Sequence, residues 1–141
     1  MKYDVFISYV EADSEWVETH LLTPLEEADI NYYTEDDFAF GKPRIAQFEA
    51  AVENSRHTVL VLSKAYMKGE SAFFISQLPP NYELYQTNRS VIPLILEPGI
   101  KLPLSLNALV KIKINVVRPN KWKNTLEHLI AQIKPAVEFQ L

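Results

Sequence analysis

Thr58-Val59-Leu60-Val61-Leu62 is the stretch of this 141-residue sequence that decides the fold. An apolar run without polar alternation is typical of a β-strand that is covered on both faces. Residues 91–96, Val-Ile-Pro-Leu-Ile-Leu, have the same character. Because such strands occur in parallel sheets flanked by helices, we predict that these two segments form the centre of a parallel sheet.

A third segment, residues 110–116, has the pattern of a strand at the edge of the sheet. Its apolar residues alternate with polar residues that would face outward, two of which are lysines. Outward lysines are a common protection of an exposed sheet edge. The residues predicted to face inward are Val110, Ile112, Ile114 and Val116. Residues 4–8 and 30–33 are short β-type runs that complete five predicted strands.

Helical patterns separate these strands. Asp13 and Ser14 are good N-caps for a first helix, in which Pro24 should produce a kink or end the first part. Pro43 suits the first turn of a second helix, and a last helix is predicted from about Asn120. The residues predicted to face inward are Val17, Leu21, Leu25 and Ala28 in the first helix, Ile45, Phe48 and Val52 in the second, and Trp122, Leu126, Leu129, Ile130 and Ile133 in the last.

The alternation of strands and helices predicts an α/β fold with right-handed crossovers. Five strands in one small domain favour a flavodoxin-like three-layer fold with a parallel sheet in the order 2-1-3-4-5, spanning residues 1–141. Ligands of such sheets bind beyond the carboxyl ends of strands 1 and 3. That location corresponds to Ser8 and Tyr9, to residues 63–66, and to the loop of residues 34–41 above them.

Composition and charge restrict the function further. Apolar residues make up 48% of the chain and charged residues 23%, which indicates a folded globular state. No apolar stretch reaches the roughly 18 residues of a membrane span, and the first residues leave no room for a signal peptide. The absence of cysteine excludes disulfides and thiol catalysis, and it fits a cytoplasmic protein. A net charge of −4 gives no reason to expect nucleic-acid binding.

The predicted cleft lacks the motifs that the common ligands of this fold require. A flavin phosphate needs a loop of small residues after strand 1, whereas residues 9–13, Tyr-Val-Glu-Ala-Asp, are bulky and acidic. A magnesium-dependent phosphate receiver needs an aspartate at the end of strand 3, where this chain has Ser63. The histidines His20, His57 and His128 have no metal-ligand spacing. The sequence therefore predicts no metal site and no bound cofactor.

Three sequence motifs nevertheless resemble a known family. They are residues 3–9, Tyr-Asp-Val-Phe-Ile-Ser-Tyr; residues 36–41, Asp-Asp-Phe-Ala-Phe-Gly; and residues 55–63, which begin Ser-Arg and end Val-Leu-Val-Leu-Ser. In order and spacing they are similar to the three sequence boxes of TIR (Toll/interleukin-1 receptor) domains, in particular those of bacterial defence and signalling proteins. The resemblance spans nearly the whole chain and implies a TIR domain excised from a longer protein.

One mode of action that this resemblance implies is homotypic assembly with other TIR domains, in signal transduction or antiphage defence. The loop after strand 2, the BB loop of the family, packs on a neighbouring copy in this mode. Here it is predicted to span residues 35–44 and to combine both charge signs with two exposed aromatic residues. Its candidate contact residues are Glu35, Asp36, Asp37, Phe38, Phe40, Gly41, Lys42, Pro43 and Arg44.

The second implied mode is cleavage of NAD⁺, as a substrate, at the nicotinamide glycosidic bond. A glutamate on the helix after strand 3 would stabilise an oxocarbenium-like centre, as carboxylates do in glycosidases. In an alignment without gaps, the tryptophan and glutamate usual on this helix fall on Ser71 and Ile75. A longer loop would place the glutamate at Glu83, 20 residues after Ser63, although Pro79-Pro80 opposes a continuous helix there.

The two hypotheses belong to different classes of protein. The missing tryptophan–glutamate pair favours the assembly module. The rival hypothesis is an NAD⁺ glycohydrolase with Glu83 as its catalytic residue. Its candidate substrate-binding residues are Ser8, Tyr9, Phe38 and Ser63.

Overall fold

The computed structural model describes residues 2–77, 90–114 and 119–135. Its centre is a sheet with the strands β1 (Tyr3–Ser8), β2 (Tyr32–Thr34), β3 (Ser55–Leu62), β4 (Ser90–Ile95) and β5 (Ile112–Lys113). The strand order is β2-β1-β3-β4-β5, and every pairing is parallel. The predicted order 2-1-3-4-5 is confirmed, and the stretch 58–62 lies in the central strand.

Helices cover both faces of the sheet and complete three layers. They are α1 (residues 14–27), α2 (Arg44–Glu53), α3 (Lys64–Met67), α4 (Glu70–Gln77), α5 (Leu104–Asn107) and α6 (Pro119–Ile133). Alternate residues of a strand point to opposite faces. Val59 and Val61 join the core beneath α1 and α6, whereas Leu60 and Leu62 join the core on the other face. The continuous apolar run of β3 therefore serves two cores at once.

Helix α1 accommodates Pro24 without ending. It consists of Ser14–Val17, a π-helical turn at Glu18–Leu22, and Thr23–Glu27. In a regular α-helix the proline ring would collide with the carbonyl group one turn earlier. The wider turn just before Pro24, in which the Thr23 N–H bonds to the Glu18 carbonyl, gives the ring room. Three residues predicted to face inward are buried: Val17, Leu21 and Leu25.

Two predictions about the strands are wrong in their bounds. Strand β2 begins at Tyr32 and not at Ile30, which is buried in the core beneath α1. Strand β5 is limited to Ile112–Lys113, and Val110 is 94% exposed although it was predicted to face inward. An edge strand has one neighbour, so it can join the sheet over a few residues only. Val116 lies outside the described residues.

The second helix also differs from its prediction at one end. Phe48 and Val52 are buried as predicted, but Ile45 is 43% exposed. Ile45 lies one helical turn before Phe48 and two before Val52, in the first turn of α2 next to the BB loop. The helical periodicity of Ile45 was correct, but this first turn lies outside the buried core on this face.

Helix α6 confirms the predicted last helix. The residues predicted to face inward are buried or half-buried: Trp122, Leu126, Leu129, Ile130 and Ile133. With 15 residues it is also the longest single helix in the described part of the chain. Neither α6 nor any other described helix has the length and apolar character needed to span a membrane.

Candidate functional site

The carboxyl ends of β1 and β3 are closed by buried polar side chains. Ser8 and Tyr66 are each 0% exposed, and the Ser8 hydroxyl lies 2.8 Å from the Tyr66 hydroxyl. The Ser63 hydroxyl accepts the Tyr66 N–H at 3.1 Å and donates to Asp13 Oδ2 at 2.5 Å. Asp13 thus binds Ser63 instead of capping α1 with its side chain. Burial raises the pKa of Tyr66 well above its ordinary value, so its hydroxyl stays neutral.

The first half of the BB loop is held against the sheet. A 3-10 turn at Glu35–Asp37 is closed by a capping box between Thr34 and Asp37. This turn folds Phe38 back, so that its ring packs against Phe6 with ring centroids 6.0 Å apart. Phe38 is half-buried in the core on this face, and its predicted exposure is therefore wrong.

The tip of the BB loop projects into solvent. Phe40 is 99% exposed, as predicted, and it has the greatest exposure among the large apolar side chains of the described residues. Gly41 follows with φ of +75°, a left-handed conformation that favours glycine. The loop therefore presents an aromatic ring that makes no contact with the core of its own domain.

Three side chains meet at the base of the loop, and we call Glu35, Arg44 and Ser71 the loop-base cluster. Arg44 Nη2 lies 3.1 Å from Glu35 Oε2, and Ser71 Oγ donates to Glu35 Oε1 at 2.8 Å. Arg44 Nη2 also lies 3.4 Å from Ser71 Oγ. Sequence reasoning assigned Glu35 and Arg44 to the loop but missed their contact with Ser71. No local pattern could reveal that contact, because Glu35 and Ser71 are 36 residues apart.

A cleft of about 850 Å³ lies between the BB loop and the start of α1. Tyr9 and Phe38 form the aromatic part of its wall, and the Tyr9 hydroxyl donates to Asp36 Oδ2 at 3.3 Å. Burial, and then the charge of Asp36, raise the pKa of Tyr9 to about 12, so this hydroxyl is a neutral donor. The charged lining residues are Glu11, Glu18, Glu35, Asp36, Lys42 and Arg44.

The residues proposed to surround NAD⁺ lie in two different environments. Tyr9 and Phe38 line the cleft, whereas Ser8 and Ser63 are buried beneath the loop. Ser71 and Ile75, on which the usual tryptophan and glutamate fall in an alignment without gaps, are each 3% exposed on α4. The predicted catalytic residue, Glu83, lies outside the described residues.

A smaller groove, which we call the edge groove, lies at the other side of the sheet between β4, β5 and α6. Its volume is about 350 Å³, and its apolar lining includes Leu109, Val110 and Ile112. Val110 is almost fully exposed there, between the exposed lysine Lys113 and the end of α5. Sequence reasoning missed this groove because it assigned Val110 to the core.

The fold and the site define a flavodoxin-like α/β domain with a projecting loop beside the carboxyl edge of its sheet. The TIR domain family model matches residues 5–130, and the chain belongs to this family. Toll-like receptor 2 of Mus musculus is 33% identical over 100 residues, which cover 68% of this chain and 13% of the receptor. Toll-like receptor 6 of Homo sapiens is 28% identical over 99 residues, covering 70% of this chain and 12% of the receptor.

Solved TIR structures have the same fold. The TIR domain of the Toll-related receptor TRR-2 from Hydra magnipapillata matches with a TM-score of 0.71 and 24% identity, over 94% of this chain and 99% of that one. A metazoan TIR-STING receptor from C. gigas matches with a TM-score of 0.67 and 25% identity, over 96% of this chain and 41% of that one. These relatives are animal proteins, and the resemblance to bacterial TIR domains stays a prediction.

Proposed function

We propose that this TIR domain acts in signal transduction through self-assembly by its BB loop. The observation that carries the proposal is Phe40, which is 99% exposed at the tip of a loop whose base is held by an ion pair. Aromatic side chains that enter a partner's pocket dominate the energy of many protein interfaces. A rigid loop base also lowers the entropic cost of ordering such an anchor on binding.

The acceptor for Phe40 in this proposal is the edge groove of a second copy. Its volume of about 350 Å³ and the apolar part of its lining suit an aromatic ring. The BB loop begins with Glu35-Asp36-Asp37, whereas Lys111 and Lys113 flank Ile112, which lines the groove. Opposite charges therefore favour contact between the acidic start of the loop and the groove. A contact between two different surfaces generates a closed ring or an open chain of copies.

Such a contact is small. Stable interfaces bury about 1,200 Å² or more, and a loop tip in a groove of about 350 Å³ supplies less. We expect isolated copies to be monomeric at low concentration and to assemble when they are tethered together, because tethering raises the effective concentration.

Two complementary variants test this proposal. Phe40→Asp removes the ring and leaves the groove intact, whereas Val110→Asp puts a charge at the groove and leaves the loop intact. Each variant alone should stop assembly, measured by sedimentation velocity at concentrations where the wild type forms chains. An equimolar mixture should give a mixed dimer, because one intact loop then meets one intact groove. Phe73→Asp is a matched control, since Phe73 is 61% exposed on α4 and lines neither the cleft beside the loop nor the edge groove.

Three outcomes would contradict the proposal. Wild-type assembly by Phe40→Asp would exclude the loop tip. The absence of a mixed dimer would exclude the edge groove as the acceptor. Loss of assembly in the Phe73→Asp control would show that any charge on the surface has the same effect.

A second candidate function is hydrolysis of NAD⁺ at the nicotinamide–ribose bond. The observation that favours it is the cleft of about 850 Å³ with Tyr9 and Phe38 in its wall, since aromatic rings can hold a base and the volume suits a large ligand. In this candidate Glu83 is the catalytic carboxylate. The assay follows nicotinamide release by clustered protein, with Glu83→Ala as the comparison.

We expect little or no release from the wild type. Robust release that Glu83→Ala abolishes would make hydrolysis the main function. Release that survives this substitution would mean that another residue is catalytic.

The cytoplasm is the compartment in which we propose that the domain acts. The absence of cysteine among 141 residues supports this assignment, because no part of the fold depends on an oxidising environment. The proposed partners are other TIR domains, in immune signalling as for the Toll-like receptors or in bacterial defence. The net charge of −4 supports the view that nucleic acid is not a partner.

A further inference from the structure

Different contacts hold the two halves of the BB loop. The first half is fixed by the turn at Glu35–Asp37 and by the Ala39 N–H, which donates to Gln47 Oε1 at 3.0 Å. Residues 40–43, at the tip, are exposed. The loop ends at Arg44, the first residue of α2, so the direction in which Phe40 projects depends on how Arg44 is held.

The Glu35 carboxylate is the centre of the loop-base cluster. Its side chain is 11% exposed, whereas that of Arg44 is 46% exposed. A carboxylate that is removed from water is costly unless its oxygens accept hydrogen bonds. Oε1 accepts from the Ser71 hydroxyl at 2.8 Å, and Oε2 accepts from Arg44 Nη2 at 3.1 Å. Because a partly exposed ion pair fixes geometry poorly by itself, the hydroxyl of Ser71 has the larger part in positioning the carboxylate.

Ser71 is fixed independently of the loop. It is 3% exposed on α4, a helix whose residues Ala72 and Ile75 are buried in the core on this face. The loop-base cluster therefore connects the base of the loop to a packed helix that does not belong to the loop. Supporting hydrogen bonds of this kind restrict the conformation of a site on a loop.

We propose that Ser71 is a positioning residue for self-assembly. Its hydroxyl holds Glu35, and through Glu35 it holds Arg44 in the arrangement that presents Phe40 to a neighbouring copy. The role of Ser71 in assembly rests on the function proposed above. The claim that Ser71 holds the loop does not, because the order of the loop is measurable in the monomer.

The variants Ser71→Ala and Ser71→Thr test this proposal, since the first removes the hydroxyl and the second retains one. Ser76→Ala is the matched control on the same helix, because the Ser76 hydroxyl donates to the Phe73 carbonyl within α4. Hydrogen exchange of the hydrogen-bonded amides of Phe38 and Ala39 is measured in the monomeric full chain. Assembly is measured by sedimentation.

We expect Ser71→Ala to speed exchange at Phe38 and Ala39 about tenfold, and to leave exchange in β3 unchanged. Assembly should weaken about tenfold, as the loss of one hydrogen bond to a charged group implies. Ser71→Thr should restore both properties, and Ser76→Ala should change neither. In a Glu35→Gln background, Ser71→Ala should have little further effect, because the two residues act through one contact.

Each contrary result identifies the claim that fails. Unchanged loop exchange in Ser71→Ala would overturn the positioning role, whether or not the protein assembles. Faster exchange with wild-type assembly would overturn the link between this loop conformation and assembly. A wild-type protein that fails to assemble even when tethered would refute the proposed function and the assembly role of Ser71, while loop exchange would still decide whether Ser71 holds the loop.

Discussion

Phe40→Ala should weaken self-assembly and leave the stability of the domain unchanged. Because Phe40 is 99% exposed, its truncation removes no contact within the domain, and the free energy of unfolding should change by less than about 0.5 kcal/mol. Burying a phenylalanine side chain in a partner contributes about 1.5–3 kcal/mol. At about 1.4 kcal/mol for each factor of ten, the Kd for assembly should rise about 10- to 100-fold.

Phe38→Ala is the matched comparison, two residues away in the same loop. Its ring packs against Phe6 at 6.0 Å and against Tyr33 at 6.1 Å between centroids. Truncation of a fully buried phenylalanine costs about 3–5 kcal/mol, so we expect about 2 kcal/mol for this half-buried one. In a domain of this size that corresponds to a decrease in Tm of about 4–8 °C.

Thermal melts followed by circular dichroism, together with sedimentation of the same samples, separate the two effects. Equal decreases in Tm for the two variants would refute the distinction between an anchored and a projecting ring. Unchanged assembly by Phe40→Ala would refute the role of the loop tip, even if its Tm is normal.

Two further predictions concern stability. Burial lowers the pKa of His20 and His57, and the charges of Lys123 and Arg56 lower it further. Between about pH 7.5 and 5.5 the unfolded chain therefore binds protons that the folded chain does not. The urea concentration at the midpoint of unfolding should therefore decrease as the pH is lowered. A midpoint that falls equally in the His20→Gln/His57→Gln double variant would contradict this origin. Ile75→Glu, which puts a glutamate where an alignment without gaps expects one, should destabilise the domain by at least about 3 kcal/mol, because Ile75 is 3% exposed. Ile75→Leu should cost less than about 1.5 kcal/mol, and equal stability of the two variants would mean that position 75 does not face the core.

The central sheet could be predicted from the sequence because burial on two faces leaves a local trace. Residues 58–62 and 91–96 have no polar alternation, and both lie in inner strands. Such a segment is continuously apolar whatever its neighbours are, since every residue of an inner strand packs against an apolar core. The three TIR motifs could also be recognised in the sequence, because each lies within a short segment. They gave the position of the BB loop.

The exposure of individual side chains could not be predicted in the same way. Phe38 and Phe40 are two residues apart in a loop without periodicity, and sequence reasoning treated them alike. The turn at Glu35–Asp37 directs the first toward Phe6, and the left-handed Gly41 follows the second. Ile45 and Val110 had the periodicity of core residues, but each lies beyond the point where its element meets the sheet.

The contacts that define the site were decided by the tertiary structure alone. Glu35 and Ser71 are 36 residues apart, and Arg44 and Ser71 are 27 apart, on elements whose relative placement depends on packing throughout the core. A helical or strand period reports which face of one element is apolar, but it contains no information on which polar groups of two elements face each other. The apolar strands and motifs of this protein can therefore be predicted from its sequence, whereas the loop-base cluster and the edge groove form only when the helices pack.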